Sequence, residues 1–178
     1  MKALDAKLLQ KFLKLAVNRL KGEWLLIGGT VLPLLGVDLR TTTDIDLLPL
    51  GKQDSNSSVL ELMKLAEELD LPIETLNQAG LYFLEKLTDY RDCLVILKRS
   101  PTTTIYRPDI NLYLRLKLKR LSESDCSDCL AFIQYAKKAK EQINTPLLIQ
   151  EVQKELKKAG TTEAKTDRLN LILKSLRS

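Results

Sequence analysis

The stretch "LLIGGTVLPLLGVDLRTTTDIDLLPL", residues 25–50, decides how this chain is read. An apolar run ends at Gly28-Gly29, and Asp44-Ile45-Asp46 follows after a short intervening segment. Trp24 to Ile27 reads as a short buried strand that stops at the glycine pair. Thr30 to Leu35 predicts one or two helical turns, with Pro33 tolerated only near a helix start. Asp44 to Leu50 reads as a second strand. In a strand, residues i and i+2 share a face about 7 Å apart. Asp44 and Asp46 therefore project together, while Ile45 and Leu47 enter the core. Two carboxylates that close repel each other, and each is costly to desolvate. A divalent cation relieves both problems, and Mg²⁺ or Mn²⁺ is commonly held by one or two carboxylates plus substrate phosphates. Gly28-Gly29 offers backbone that a phosphate can approach closely. Taken singly, a Gly-Gly is ordinarily a turn and an Asp-x-Asp a solvated strand end. Taken together they describe a metal–triphosphate site.

Outward from this stretch, residues 3 to 20 carry Leu4, Leu8, Phe12, Leu15 and Ala16 on one stripe, the spacing of an amphipathic helix. Downstream, Ser58 with Glu61 resembles a capping box for a helix running to about Leu69, and Pro72 opens another short helix. Cys93 to Lys98 and Thr102 to Arg107 predict a hairpin around Ser100-Pro101. Residues 111–119 are ambiguous. Leu112, Leu114, Leu116 and Leu118 alternate as in a strand, but Leu, Lys and Arg are helix formers, which favours a helix. Ser122 with Asp125 caps the next helix, to about Lys140. Thr145-Pro146 starts another that Gly160 ends, and Thr162 starts the last. The expected fold class is α/β (α+β): a mixed sheet flanked by helices in residues 1–108, with a helical portion over 109–178, read as two parts or as one continuous domain.

Of the chain's 178 residues 44% are hydrophobic, enough for a core. The net charge of +5, with a pI near 9.0, permits an anionic partner, but a well-solvated surface explains it equally. The longest apolar run, Trp24 to Val37, is too short to span a bilayer, and the charged N-terminus lacks a signal-peptide core. These features predict a cytoplasmic protein with no membrane partner. Cys126-Ser127-Asp128-Cys129 has the C-x-x-C form, but zinc needs four ligands, and the chain has no histidine and only Cys93 besides. These cysteines read as small half-buried helix residues. The lack of histidine also removes Ser-His and Cys-His hydrolysis.

Ile27-Gly28-Gly29-Thr30 and Asp44-Ile45-Asp46-Leu47 resemble the signature of the nucleotidyltransferase superfamily, with its polymerase-beta-like fold. The wording is most similar to the toxin nucleotidyltransferases of abortive-infection systems and related uncharacterised bacterial families, in which an Arg and a Thr precede the acidic triplet as Arg40 and Thr42 do here. "LDLPIETLNQAGLYFLEKL", residues 69–87, and Lys117, Arg120, Asp125 and Asp128 also look like segments of one such family. The resemblance spans roughly residues 23–133. It implies Mg²⁺ (or Mn²⁺) on Asp44 and Asp46, a nucleoside triphosphate cradled by Gly28, Gly29 and Thr30, and positive charge from Arg40, Lys117 and Arg120. Active members of the superfamily usually carry a third carboxylate. Asp92 and Asp109 are the candidates here, with Glu85 behind them, and none has the expected apolar neighbours. Asp109 reads first as a helix N-cap, and Asp125 and Asp128 read first as salt-bridge partners of Lys117 and Arg120.

Two functions of different class follow. One is Mg²⁺-dependent transfer of a nucleotidyl group to a tRNA or other RNA, a protein or a small molecule, as in a toxin of a toxin–antitoxin pair. The other is a catalytically weak or inactive module of the same fold that binds nucleotide, an antitoxin or another protein partner. A third possibility, RNA binding through basic helices, has little support from an aromatic content of 5%.

Overall fold

Asp5 opens the first helix, accepting a hydrogen bond from the Leu8 N–H at 2.7 Å. In the computed structural model, which describes residues 4–37, 39, 42–51, 55–78, 80–84 and 86–178 and only the backbone of 55–57, the chain divides into two units, Met1–Pro108 and Asp109–Ser178. The first begins with α1 (Ala6–Arg19), whose buried Leu9, Phe12, Leu13, Ala16 and Val17 form the stripe read from sequence. β1 (Gly22–Ile27) follows, then a 3₁₀ turn over Gly28–Thr30 and α2 (Val31–Leu34). Next come β2 (Ile45–Leu50), α3 (Ser55–Glu68), a 3₁₀ turn over Ile73–Thr75, β3 (Leu76–Asn77) and α4 (Leu81–Leu84). A 3₁₀ turn over Tyr90–Cys93 leads into β4 (Leu94–Arg99) and β5 (Thr103–Pro108).

The five strands form one mixed sheet in the order β3-β2-β1-β5-β4. β1 is antiparallel to β2 and parallel to β5. β2 runs parallel to β3, and β4 antiparallel to β5. One end of the sheet therefore collects the last residues of β1 and β5 and the first residues of β2 and β4. Trp24, Leu26, Ile45, Leu47 and Ile105 share a core with α1 and with Leu62, Leu65, Ala66 and Leu69 of α3 and the turn after it. Leu25 and Leu48, on the opposite face, are fully buried as well. The β4–β5 turn is tied back to α1: the Ser100 hydroxyl donates to the Val17 carbonyl at 2.8 Å, and the Thr103 hydroxyl donates to that of Leu20.

The second unit is helical, as the residue preferences at 111–119 favour. It comprises α5 (Ile110–Leu118), α6 (Glu123–Ala139), α7 (Thr145–Leu156) and α8 (Glu163–Arg177). Ser122 and Asp125 form the full capping box, and the Thr162 hydroxyl accepts from the Lys165 N–H.

Most boundaries shift by a residue or more from the sequence reading, and two of the shifts change what a capping or stop signal means. α3 starts at Ser55, so Ser58 lies inside the helix and its spacing to Glu61 is that of two residues on one helical face. α7 ends at Leu156 rather than at Gly160, because the Thr161 hydroxyl lies 3.1 Å from the Glu155 carbonyl and 2.9 Å from that of Lys158, serving carbonyls left over at the helix end. Among the described residues, no helix is long and apolar enough to cross a membrane.

Candidate functional site

At the end of β1 the chain turns through Gly28, at φ +75°. A side chain there would be strained by its backbone alone. It would also have no room, because an added Cβ would stand 2.1 Å from Oδ2 of Asp46. The cause is register: Ile27 is paired with Asp46 across the β1–β2 ladder, which draws the carboxylate to the edge of the turn. Gly28 thus lets the Asp46 carboxylate lie against the turn's backbone, as no other residue type would. Thr30, read as part of a phosphate cradle, is fully buried, and its hydroxyl donates to the Ile27 carbonyl at 3.0 Å. Its side chain fixes the turn, so it is the turn's backbone that remains to meet a ligand.

Asp46 is half-buried and Asp44 exposed. Ile45 and Leu47, between and after them, are buried in the α1/α3 core. Asp44 lies just outside β2. Its carboxylate is 3.3 Å from the Thr43 hydroxyl, and its carbonyl is 3.4 Å from that of Thr42. Thr42 is itself buried and accepts from the Leu4 N–H at 2.9 Å, which pins the entry to β2. The donor set that results is all oxygen, the chemistry Mg²⁺ and Mn²⁺ take.

Sequence reading missed a neighbour of this pair. β3 is only two residues long, and it places Asn77 in register with Asp46 on the same sheet face. Gly80 then packs its backbone against Ile27 and Leu48, where an added Cβ would meet Ile27 Cδ1 at 2.5 Å. No run of alternating residues announces so short a strand. The Asn and the Gly were the only available signals.

The other candidates fall elsewhere. Arg40 and Glu85 lie outside the described residues. Asp92 is exposed in the turn before β4. That strand is three places from β2 in the sheet, about 14 Å at the usual strand spacing. Asp109 caps α5: its carboxylate accepts from the Leu112 N–H and the Asn111 amide, each at 2.8 Å. Burial raises its pKa above the ordinary aspartate value, against the lowering effect of those hydrogen bonds.

Lys117 and Arg120 belong to a charge cluster within the helical unit. Lys117 Nζ donates to Asp125 at 2.9 Å and to Asp128 at 2.8 Å, and both carboxylates are almost wholly buried. Arg120 donates twice to Asp125, at 2.7 and 2.9 Å. Burial alone would raise the Asp125 pKa, but Arg120, Lys117 and Ser122 outweigh it and hold the carboxyl well below its usual range. Cys126 and Cys129 are free and buried, and burial pushes both thiols up. Among the described residues, no group of three or more His, Cys, Asp or Glu side chains is arranged to hold a metal.

No protein-family model matches the chain, and neither a curated protein nor a solved structure is similar to it.

Proposed function

We propose that the chain binds a nucleoside triphosphate with Mg²⁺ or Mn²⁺ at the Gly28-Gly29 turn and transfers its nucleotidyl group to an acceptor hydroxyl on an RNA such as a tRNA, a protein or a small molecule. The observation that carries this reading is the close approach of Asp46 Oδ2 to the backbone of Gly28, which brings a carboxylate against the glycine turn where no Cβ fits. Asp44 and Asp46 would hold the cation, and the backbone of Gly28 and Gly29 would face the phosphates. The cation, when bound, supplies charge neutralisation to the phosphate oxygens. Transfer forms a bond from the acceptor oxygen to the α-phosphorus and breaks the α–β anhydride. Pyrophosphate leaves with the bonding electrons, and the acceptor's proton passes to water. The chain's part is mainly to position the reactants, which is most of what phosphoryl-type transfer asks of a protein. A toxin role in a toxin–antitoxin pair rests on the family resemblance alone.

A second reading has its own support. Asp92 lies three strands from the pair, and Asp109 is occupied in capping, so among the described residues neither of these candidates supplies a third acid. On that reading the chain is a nucleotide- or partner-binding module without turnover.

One experiment separates the two. The four labelled nucleoside triphosphates, Mg²⁺ and total RNA are incubated with the protein, alongside calorimetric titration with a non-hydrolysable triphosphate. Labelling with pyrophosphate release supports transfer, and cation-dependent binding without labelling supports the module. Asp44→Asn with Asp46→Asn should weaken cation-dependent binding at least a hundredfold while leaving the circular dichroism unchanged. A double variant that binds like the parent would sink both readings.

A further inference from the structure

The second half of α3 and the turn after it enclose a groove of about 860 Å³ that is open to solvent. Leu60, Met63 and Ile73 line it, and they are 52%, 43% and 43% exposed. Leu60, Met63 and Glu67 fall at i, i+3 and i+7, one stripe on the helix. α3 already buries Leu62, Leu65 and Ala66 in the unit's own core. It is therefore apolar on two faces, and the outer one meets water. Large apolar side chains gathered at one exposed place are the mark of a surface that something covers.

Charge says what kind of occupant fits. Residues 59–75 contain Glu61, Glu67, Glu68, Asp70 and Glu74 against Lys64 alone, a net charge of −4. The whole chain carries +5, so the remainder carries +9. Lys64 lines the groove as well, and Glu61 neutralises it at 2.8 Å. Glu67 and Asp70 stand exposed on the groove itself, and Glu74 is exposed beside Ile73. An acidic rim repels RNA and anionic lipid, although the rest of this basic chain would attract them. Symmetric pairing of two copies would set acid against acid. Asymmetric pairing would need two exposed apolar side chains one helical turn apart, and outside α3 the described helices offer only Leu171 on α8 and the adjacent Tyr82 and Phe83 on α4. We propose that this groove seats a basic amphipathic helix of another protein, two apolar side chains one turn apart entering between Leu60, Met63 and Ile73 while its Lys or Arg residues meet Glu67 and Asp70. The inference is independent of the nucleotide reading.

The test is fluorescence anisotropy with the full chain and three labelled synthetic peptides of about 18 residues, long enough for a continuous helical face. The first has Leu on one helical face and Lys on the other. The second has the same composition in scrambled order, and the third has Glu in place of Lys. The first should bind at least tenfold more tightly than the others, and added salt should weaken it. Leu60→Asp with Met63→Asp should lose at least tenfold. Glu67→Gln with Asp70→Asn should lose about threefold and flatten the salt dependence, and it tests the charge without touching the apolar floor. Circular dichroism checks that both variants remain folded. Equal binding of the scrambled peptide, or binding unchanged in both variants, would overturn the proposal. So would a dimer in sedimentation that Leu60→Asp dissolves, which would make a second copy the occupant.

Discussion

One charge cluster in the helical unit and one carboxylate pair in the sheet unit sit in different surroundings. In the helical unit, Lys117 sits between Asp125 and Asp128, with Arg120 closing on the first of them, so charges buried away from water find opposite charges inside the same unit. At the end of the sheet, Asp44 and Asp46 stand two residues apart at a glycine turn, one exposed and one half-buried. A charge cluster satisfied from within is built to hold a structure, and its removal should appear as lost stability. A carboxylate pair at a solvent-facing turn should appear in binding. The contrast teaches that a basic residue near acidic ones in sequence is no guide to whether it serves a ligand. Lys117 reaches carboxylates eight and eleven residues on, the salt-bridge partners first read for it from sequence, and not the ligand role implied by the family resemblance.

The contrast can be broken most decisively at Lys117. Lys117→Met leaves Asp125 and Asp128 buried without their lysine, and should cost about 3–5 kcal/mol in urea unfolding. Triphosphate affinity should hold wherever the variant stays folded. A variant of normal stability with lost affinity would show that Lys117 serves the ligand after all. Gly28→Ala should cost about 1–2 kcal/mol from the left-handed backbone, and should lose triphosphate binding as its Cβ displaces Asp46. Retained binding would show that the contact between Gly28 and Asp46 does not serve the ligand.

Acid should act on the helical unit with a definite sign. The folded-state pKa of Asp125 is depressed, so its contribution is complete above the ordinary aspartate pKa of about 3.9 and is lost as pH falls through the folded value. Asp109 opposes this weakly, because burial raises its pKa and protonation relieves it. The urea midpoint should fall between pH 5 and about pH 2.5 in the parent, and fall less in Lys117→Met. The smallest effect is expected at Asp92. Asp92→Asn, about 14 Å from the pair by strand spacing, should change triphosphate binding and any turnover by less than twofold. A large loss of turnover would return it to the site as the missing acid.

Much of the fold could be read from the residues because the signals were local. Asp109, Ser122 and Thr162 cap helices within three residues of themselves, and Thr145-Pro146 marks a helix start that Asn144 caps. β1, β2 and the β4–β5 hairpin were legible as apolar or β-branched runs between turns. The site was legible only in part. Asp44, Asp46 and the glycine pair announced themselves by spacing. Asn77 did not, because its place beside Asp46 comes from a two-residue strand whose pairing is not local. The capping signature at Ser58 misled because the same pattern also describes two residues on one face inside a helix.

The position of β1 also governs how this chain can be made. β1 is flanked by β2 on one side and by β5 on the other, so Gly22–Leu25 must wait for Thr103–Tyr106. On the ribosome the first strand emerges early and can meet β2 soon afterwards, but its other edge stays unpaired until some eighty further residues have been added. At about 5–20 residues per second that delay is several seconds. Throughout it Trp24, Leu25 and Leu26 belong to an incomplete sheet. The last ties, from Ser100 and Thr103 to the end of α1, lock only when the hairpin arrives. The sheet of the first unit is therefore completed late, with one edge of β1 exposed until the hairpin arrives.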